Sequence, residues 1–237
     1  AKSKAKLDLG DIYLLKEEYW EATLLYSQVE KTQKETPIGY DAKLRNAKLS
    51  YYNGDFRLAQ EHLDILKKAT TREIANDAID LSMLIKENIS FDTLGTALRA
   101  YAAIELLLYQ NKTKEALQQI SKLKTSEGDQ DSLKTSSSTI LDNVLWLEAN
   151  LRMKQGEFDQ YIALLKKLLN IYGEYILADD AYFLTGEIYE RQLHNKDKAL
   201  EIYREFLNKY PGSVYAAEAR KRYRQLRGDF QPEKTVN

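Results

Sequence analysis

Ala181-Tyr-Phe-Leu-Thr-Gly-Glu-Ile-Tyr189, then Lys198-Ala-Leu-Glu-Ile-Tyr203, then Tyr210-Pro-Gly-Ser213: this stretch decides the fold. One apolar-periodic segment carries the small Gly186 and the next carries Ala199, with an aromatic four residues later and a Pro–Gly exit. Two antiparallel helices meeting at one crossing point need this arrangement. Small side chains let the axes approach, and larger ones beside them fill the remaining space. The signs recur near the start as Leu9-Gly10-x2-Tyr13 followed by Ala22-x3-Tyr26, with Trp20 just ahead of Ala22 and Pro37 at the end.

Three further copies are weaker in identity but constant in spacing. Ala47 precedes the turn Asn53-Gly54-Asp55-Phe56 and Ala59-x3-Leu63. Ile104 precedes Gln110-Asn-Lys-Thr113 and Ala116-x3-Ile120, and Ala149 precedes Gln155-Gly-Glu-Phe158 and Tyr161-x3-Leu165. In all four of the pairs Gly10/Ala22, Ala47/Ala59, Ile104/Ala116 and Ala149/Tyr161 the two residues are 12 apart, whereas Gly186 and Ala199 are 13 apart. The extra residue is expected in the turn around Leu193-His194-Asn195. Gly54 suits the left-handed position that ends a helix, and Asp55 suits the cap of the next.

The second-helix anchors follow one another at 37, 57, 45 and 38 residues, so two intervals contain insertions. The longest predicts an additional helix over residues 71–87, opened by a Thr70-x2-Glu73 capping box with Ile74, Ala78, Leu81 and Ile85 on one stripe. The other contains a polar, aperiodic loop over 124–139, where two lobes would meet. Ser213 is expected to cap a closing helix over 214–227, with Tyr215, Ala216, Ala219, Tyr223 and Leu226 on its apolar side and a basic opposite face. The predicted organisation is all-α: a right-handed solenoid of antiparallel helix pairs at about 3–37, 40–69, 97–124, 142–174 and 179–212, and a tail over 229–237.

Bulk properties narrow the function. Charged residues make up 30% of the 237 residues but nearly cancel, with a formal net charge of −1, so no overall field recruits nucleic acid or an anionic membrane. The absence of cysteine excludes disulfides, thiolate metal sites and a cysteine nucleophile. No apolar run reaches the roughly 18 residues of a membrane span, and Ala1-Lys-Ser-Lys-Ala-Lys6 lacks a signal-peptide core. Because the chain opens inside what reads as a first helix, it is expected to be the C-terminal part of a longer protein.

The motifs at 181–213 and 9–26 resemble the tetratricopeptide repeat superfamily, and that likeness covers most of the chain. The runs Leu25-Tyr-Ser-Gln-Val-Glu30, Ala75-Asn-Asp-Ala-Ile-Asp-Leu81, Ile176-Leu-Ala-Asp-Asp-Ala181 and Glu218-Ala-Arg-Lys-Arg222 with Leu226-Arg-Gly-Asp229 are similar to the C-terminal part of a Bacteroidetes-type family of such proteins. The resemblance implies a bacterial scaffold for a protein or peptide partner, exported to the periplasm or outer membrane. It also implies a binding groove lined by the first helix of each hairpin. Counted out from the crossing residues, that groove would contain Asp11, Leu14, Tyr51, Tyr52, Tyr101, Glu105, Tyr109, Trp146, Asn150, Phe183 and Glu187.

Aromatics with Asn and Glu suit a peptide groove, because rigid rings give contact area at low entropic cost and Asn bonds an extended backbone. Trp146 with Asn150 one turn later is the best pair. The opposing reading is that a stripe at helical spacing is core packing between repeats. The run Arg220-Lys221-Arg222 with Arg224 and Arg227 reads as the solvated face of the closing helix, and Arg227-Gly228-Asp229 as a helix end. His62 and His194 are far apart without ligand-like partners, and the glycines fall in turns rather than a phosphate loop, so no catalytic residue, metal or cofactor is expected. The competing reading is the helical accessory region of a longer envelope enzyme whose catalytic part lies elsewhere.

Overall fold

The computed structural model describes residues 1–68, 71–90, 95–126, 140–172 and 178–229. Among the described residues there are twelve α-helices and no strand. They are α1 (Lys2–Leu15), α2 (Tyr19–Thr32), α3 (Pro37–Tyr52), α4 (Phe56–Leu66), α5 (Arg72–Ile89), α6 (Thr96–Tyr109), α7 (Thr113–Ser126), α8 (Ile140–Lys154), α9 (Phe158–Tyr172), α10 (Ala178–Arg191), α11 (Lys196–Lys209) and α12 (Ala216–Arg227). Two compact units divide the chain, Ala1–Leu141 and Asp142–Asn237. Residues 127–139, where the polar loop is expected, and most of the expected tail lie outside the described residues, as does Thr70 of the expected capping box.

Four of the hairpins share one kind of turn. Three residues join α1 to α2, α3 to α4, α6 to α7 and α8 to α9. The middle one is left-handed each time: Glu17 (φ 68), Gly54 (φ 75), Asn111 (φ 60) and Gly156 (φ 76). The third residue then donates its N–H five residues back, as Glu18 does to Tyr13 and Asp55 to Ser50 at 2.9 Å each, closing the carbonyls that the first helix leaves open. Between α10 and α11 there are four residues, His194 is left-handed (φ 49), and Asn195 caps α11 through Lys198 N–H at 3.0 Å. This is the extra residue of the 13-residue interval. Asp55 caps α4 through Leu58 N–H at 3.1 Å.

The crossing points are as tight as the residue types require. A Cβ added to Gly10 would lie 2.4 Å from Cε1 of Tyr26, and one added to Gly186 would lie 2.7 Å from Cε1 of Tyr203. In the other hairpins the aliphatic Leu63, Ile120 or Leu165, all fully buried, stands in the aromatic's place, and the glycine is replaced by the larger Ala47, Ile104 or Ala149. Volume is exchanged across the contact, which keeps the interior close-packed.

In the first unit α2 packs on α3, and α5 packs on α4 with smaller contacts to α3 and α6. The buried stripe of α5 runs through Ala78, Ser82 and Ile85, so Ser82 takes the place expected of Leu81. Its burial is possible because Ser82 Oγ donates to Gln60 Oε1 (2.7 Å) and accepts from Lys67 Nζ, while Gln60 Nε2 donates to the Ser82 carbonyl (2.9 Å). Next, α6 lies across the C-terminal end of α3. Its start abuts the α3–α4 turn, with Arg99 5.4 Å over the Phe56 ring, and its end meets α1, where Gln110 Nε2 donates to the Leu14 carbonyl at 3.1 Å.

In the second unit α9, α10, α11 and α12 pack in succession. Helix α12 starts after Tyr215 rather than at Ser213, whose hydroxyl instead accepts from Tyr215 N–H at 3.1 Å. Phe183, Ala199, Tyr203, Phe206 and Ala219 form its core with α10 and α11.

Candidate interaction site

The expected first-helix face divides between the two units, and most of it is already in use within the chain. In the first unit Tyr51 is 1% exposed and donates its hydroxyl to Glu105 Oε2 at 2.6 Å. Tyr52 fills the space between Tyr51 (ring centroids 5.7 Å apart) and Tyr109 (6.3 Å). Tyr101 and Leu14 are buried, Glu105 and Asp11 are half-buried, and only Tyr109, at 38%, is an exposed member of the set. The core-packing reading therefore holds for Tyr51 and Tyr101.

Burial sets the electrostatics of this cluster. It pushes Glu105 above the ordinary carboxylate range, opposed by the Tyr51 hydrogen bond, and it raises the Tyr51, Tyr52 and Tyr109 phenols, helped by the negative charge of Glu105 at Tyr51 and Tyr52. Beside it, Tyr26 donates to Asp11 Oδ1 at 2.7 Å, and Arg45 of α3 pairs with Asp11 and, at 3.0 Å, with Asp41.

In the second unit Trp146 and Asn150 are one turn apart on α8 and both half-buried. Phe183 and Glu187 are in a different situation, because α12 covers them. The Tyr215 ring stacks on Phe183 at 4.7 Å and 12°, and its hydroxyl donates to Asp180 Oδ1 at 2.7 Å. Arg222 reaches Glu187 at 2.7 Å, Glu190 at 3.1 Å and Glu218 at 3.0 Å, with its guanidinium 5.5 Å from the Phe183 centroid. These two expected groove residues are not open to a partner, since the closing helix occupies the surface where one would lie.

Arg222 also corrects the reading of the basic run. It is 6% exposed, whereas Arg220, Lys221, Arg224 and Arg227 are exposed as expected, and Arg227 is paired with Asp229. A signal was present in the sequence. Arg222 lies three residues after the buried Ala219, and the pair Glu218/Arg222 repeats Asp41/Arg45 at the same point of a first helix.

Sequence reasoning missed an open cleft of about 620 Å³ between the α1–α2 turn and the α6–α7 hairpin. A second, of about 520 Å³, lies where Glu30, Lys43 and His62 meet, and there burial lowers the His62 pKa. Among the described residues no group of three or more His, Asp or Glu could hold a metal ion, and no helix is long and apolar enough to cross a membrane.

The tetratricopeptide repeat family model matches residues 180–213. A search of curated proteins finds no match to this chain. The matched copy is the hairpin α10–α11, whose Gly186–Tyr203 crossing recurs as Gly10–Tyr26 at α1–α2. The match thus identifies α10–α11 as one tetratricopeptide repeat, and the packing of neighbouring helices in pairs along the rest of the chain is consistent with an all-α solenoid of that kind.

Proposed function

We propose that the chain is a non-enzymatic scaffold that holds a protein or peptide partner on the parts of its first-helix faces that remain accessible: Tyr109 in the first unit, Trp146 and Asn150 in the second. The observation that carries this reading is the half-exposure of Trp146 directly above a carboxamide on the same helix, in a repeat type that serves as a protein-interaction module. A half-exposed ring and an amide one turn away can supply contact area and backbone hydrogen bonds together. Nucleic acid is not the expected partner. Arg222, which would anchor a basic patch on α12, is already met by three carboxylates, and the net charge of the chain is −1.

The test is partner capture from source cells by the intact protein, with mass spectrometry of what accompanies it, repeated with Trp146→Ala and Asn150→Ala variants whose helix content is checked by circular dichroism. Each variant is expected to lose most of the captured partner. Undiminished capture by both would place the interface elsewhere, and binding that falls steeply with salt would favour a nucleic-acid ligand instead.

A further inference from the structure

The sequence contains a single Asn-Gly pair, Asn53-Gly54, and the fold places it in the turn between α3 and α4. We propose that this pair is a site of spontaneous side-chain amide loss, which the folded hairpin holds shut and local opening of the turn releases.

The chemistry is intramolecular and needs only water. Once a base removes its proton, the Gly54 backbone nitrogen attacks the side-chain carbonyl carbon of Asn53. The carbon–nitrogen bond of the side-chain amide breaks, ammonia leaves with a proton taken back from the base, and a five-membered succinimide ring remains. Water then opens the ring at either carbonyl. The product is aspartate or isoaspartate, the latter with one more carbon in the main chain.

Residue type and register select this position. Glycine has no side chain to crowd the attacking nitrogen, and the turn requires it independently, because the middle residue is left-handed (φ 75). The other three turns of this kind lack the combination. Lys16-Glu17 has no amide, and Gln110-Asn111 and Gln155-Gly156 would have to close the less favourable six-membered ring. Asn111 is itself followed by Lys112, whose side chain stands beside the nitrogen.

The turn's own hydrogen bonds are the gate. Asn53 is exposed, but the Gly54 N–H donates to the Tyr51 carbonyl at 2.9 Å, and Asn53 has helical backbone angles, φ −77 and ψ −4. The nitrogen neither gives up its proton nor turns toward the side chain until that bond breaks. On either side, Asn53 N–H donates to Leu49 at 3.0 Å and Asp55 N–H to Ser50 at 2.9 Å. Arg99 of α6 lies against Gly54 where a Cβ would be, so α6 also holds the turn closed.

Either product acts back on the hairpin. Isoaspartate lengthens a connection that is fixed by the Asp55–Ser50 bond and by the Asp55 cap on Leu58 N–H at 3.1 Å. Aspartate keeps the length but adds a negative charge at the C-terminal end of α3, beside Asp55, where the helix dipole disfavours it. One opening of the turn is thereby converted into a lasting change.

The test incubates the full chain in mildly alkaline buffer with and without urea and follows it by peptide mass spectrometry, with fragmentation that separates aspartate from isoaspartate. Conversion at Asn53 is expected to be at least about tenfold faster in urea, because several hydrogen bonds keep the open turn rare in the folded chain. In urea Asn53 should outpace Asn111, and Asn53→Gln should remove the signal. Equal rates with and without urea, no conversion at Asn53 in urea, or conversion there no faster than at Asn111 would overturn the proposal. None of these outcomes depends on the partner held at Trp146 and Asn150.

Discussion

The helices α1, α2 and α3 and the helices α10, α11 and α12 are two versions of one arrangement. In the first, Gly10 receives the Tyr26 ring, the Tyr26 hydroxyl is bound by Asp11, and Arg45, held by Asp41 four residues earlier, reaches back to Asp11. In the second, Gly186 receives Tyr203, Glu190 binds its hydroxyl, and Arg222, held by Glu218 four residues earlier, reaches back to Glu190 and Glu187. The difference lies on the other side of the arginine-bearing helix. Leu44, Ala47 and Tyr51 of α3 are buried, but the corresponding residues, Lys221 and Arg224 of α12 and the Gly228 that ends it, are all exposed. Helix α12 keeps the half that grips the preceding hairpin and has charge where α3 receives α4. Whether a hairpin stack continues or closes is thus decided by one face of one helix.

The comparison is sharpest at the arginines. The Arg222 side chain is 8% exposed and that of Arg45 is 26% exposed. Removing a buried cation strands its carboxylates, so Arg222→Ala should cost about 3 kcal/mol, read as a lower urea midpoint and faster hydrogen exchange in α10. Next in size, Gly186→Ala and Gly10→Ala should each cost about 1–2 kcal/mol despite the better helix propensity of alanine. The new methyl meets a ring whose hydroxyl is already bound and which cannot swing away. Arg45→Ala should cost only about 1 kcal/mol, because water reaches Asp11 and Asp41 once it is gone. Equal losses at Arg45 and Arg222 would mean that the two arrangements do not differ in burial as described.

The smallest expected effect concerns Glu105, which stands at the repeat position of Asp11 and Glu187 but has Tyr51 as its donor in place of an arginine. Burial raises its pKa above the ordinary value of 4.5, so the folded chain holds this proton to higher pH than the unfolded chain. The stability that it contributes is full below 4.5 and is lost as pH rises through the folded value. Glu105→Gln should therefore be neutral at low pH and stabilising at neutral pH, flattening thermal stability across that window. A variant with the parent's pH profile would contradict this assignment.

Much of this architecture was legible in the residues. The 12-residue interval fixes where two helices cross, and the aromatic after Ala22 and after Ala199 specifies what fills the space beside a glycine. Spacing identifies residues on one face of one helix but not the neighbour that covers that face. That is why Phe183 and Glu187 read as groove residues although α12 lies over them, and why Arg222 read as solvated. The same limit hid the turn of α6 across α3, which depends on where α5 sends the chain, and with it the cleft. Ser82 was missed for a different reason: the Gln60 amide of α4 and the Lys67 ammonium just beyond that helix both bond its hydroxyl, which makes it cheaper to bury than periodicity implies.

The chain has two tryptophans, one in each unit: Trp20 is 75% exposed and Trp146 is half-buried. Trp20 already samples water in the folded protein, so its emission should change little when the first unit opens. Trp146 should shift to the red when the second unit opens and to the blue when something settles against it. A Trp20→Phe protein would then report unfolding and occupancy of the second unit by opposite displacements of a single unlabelled emission band.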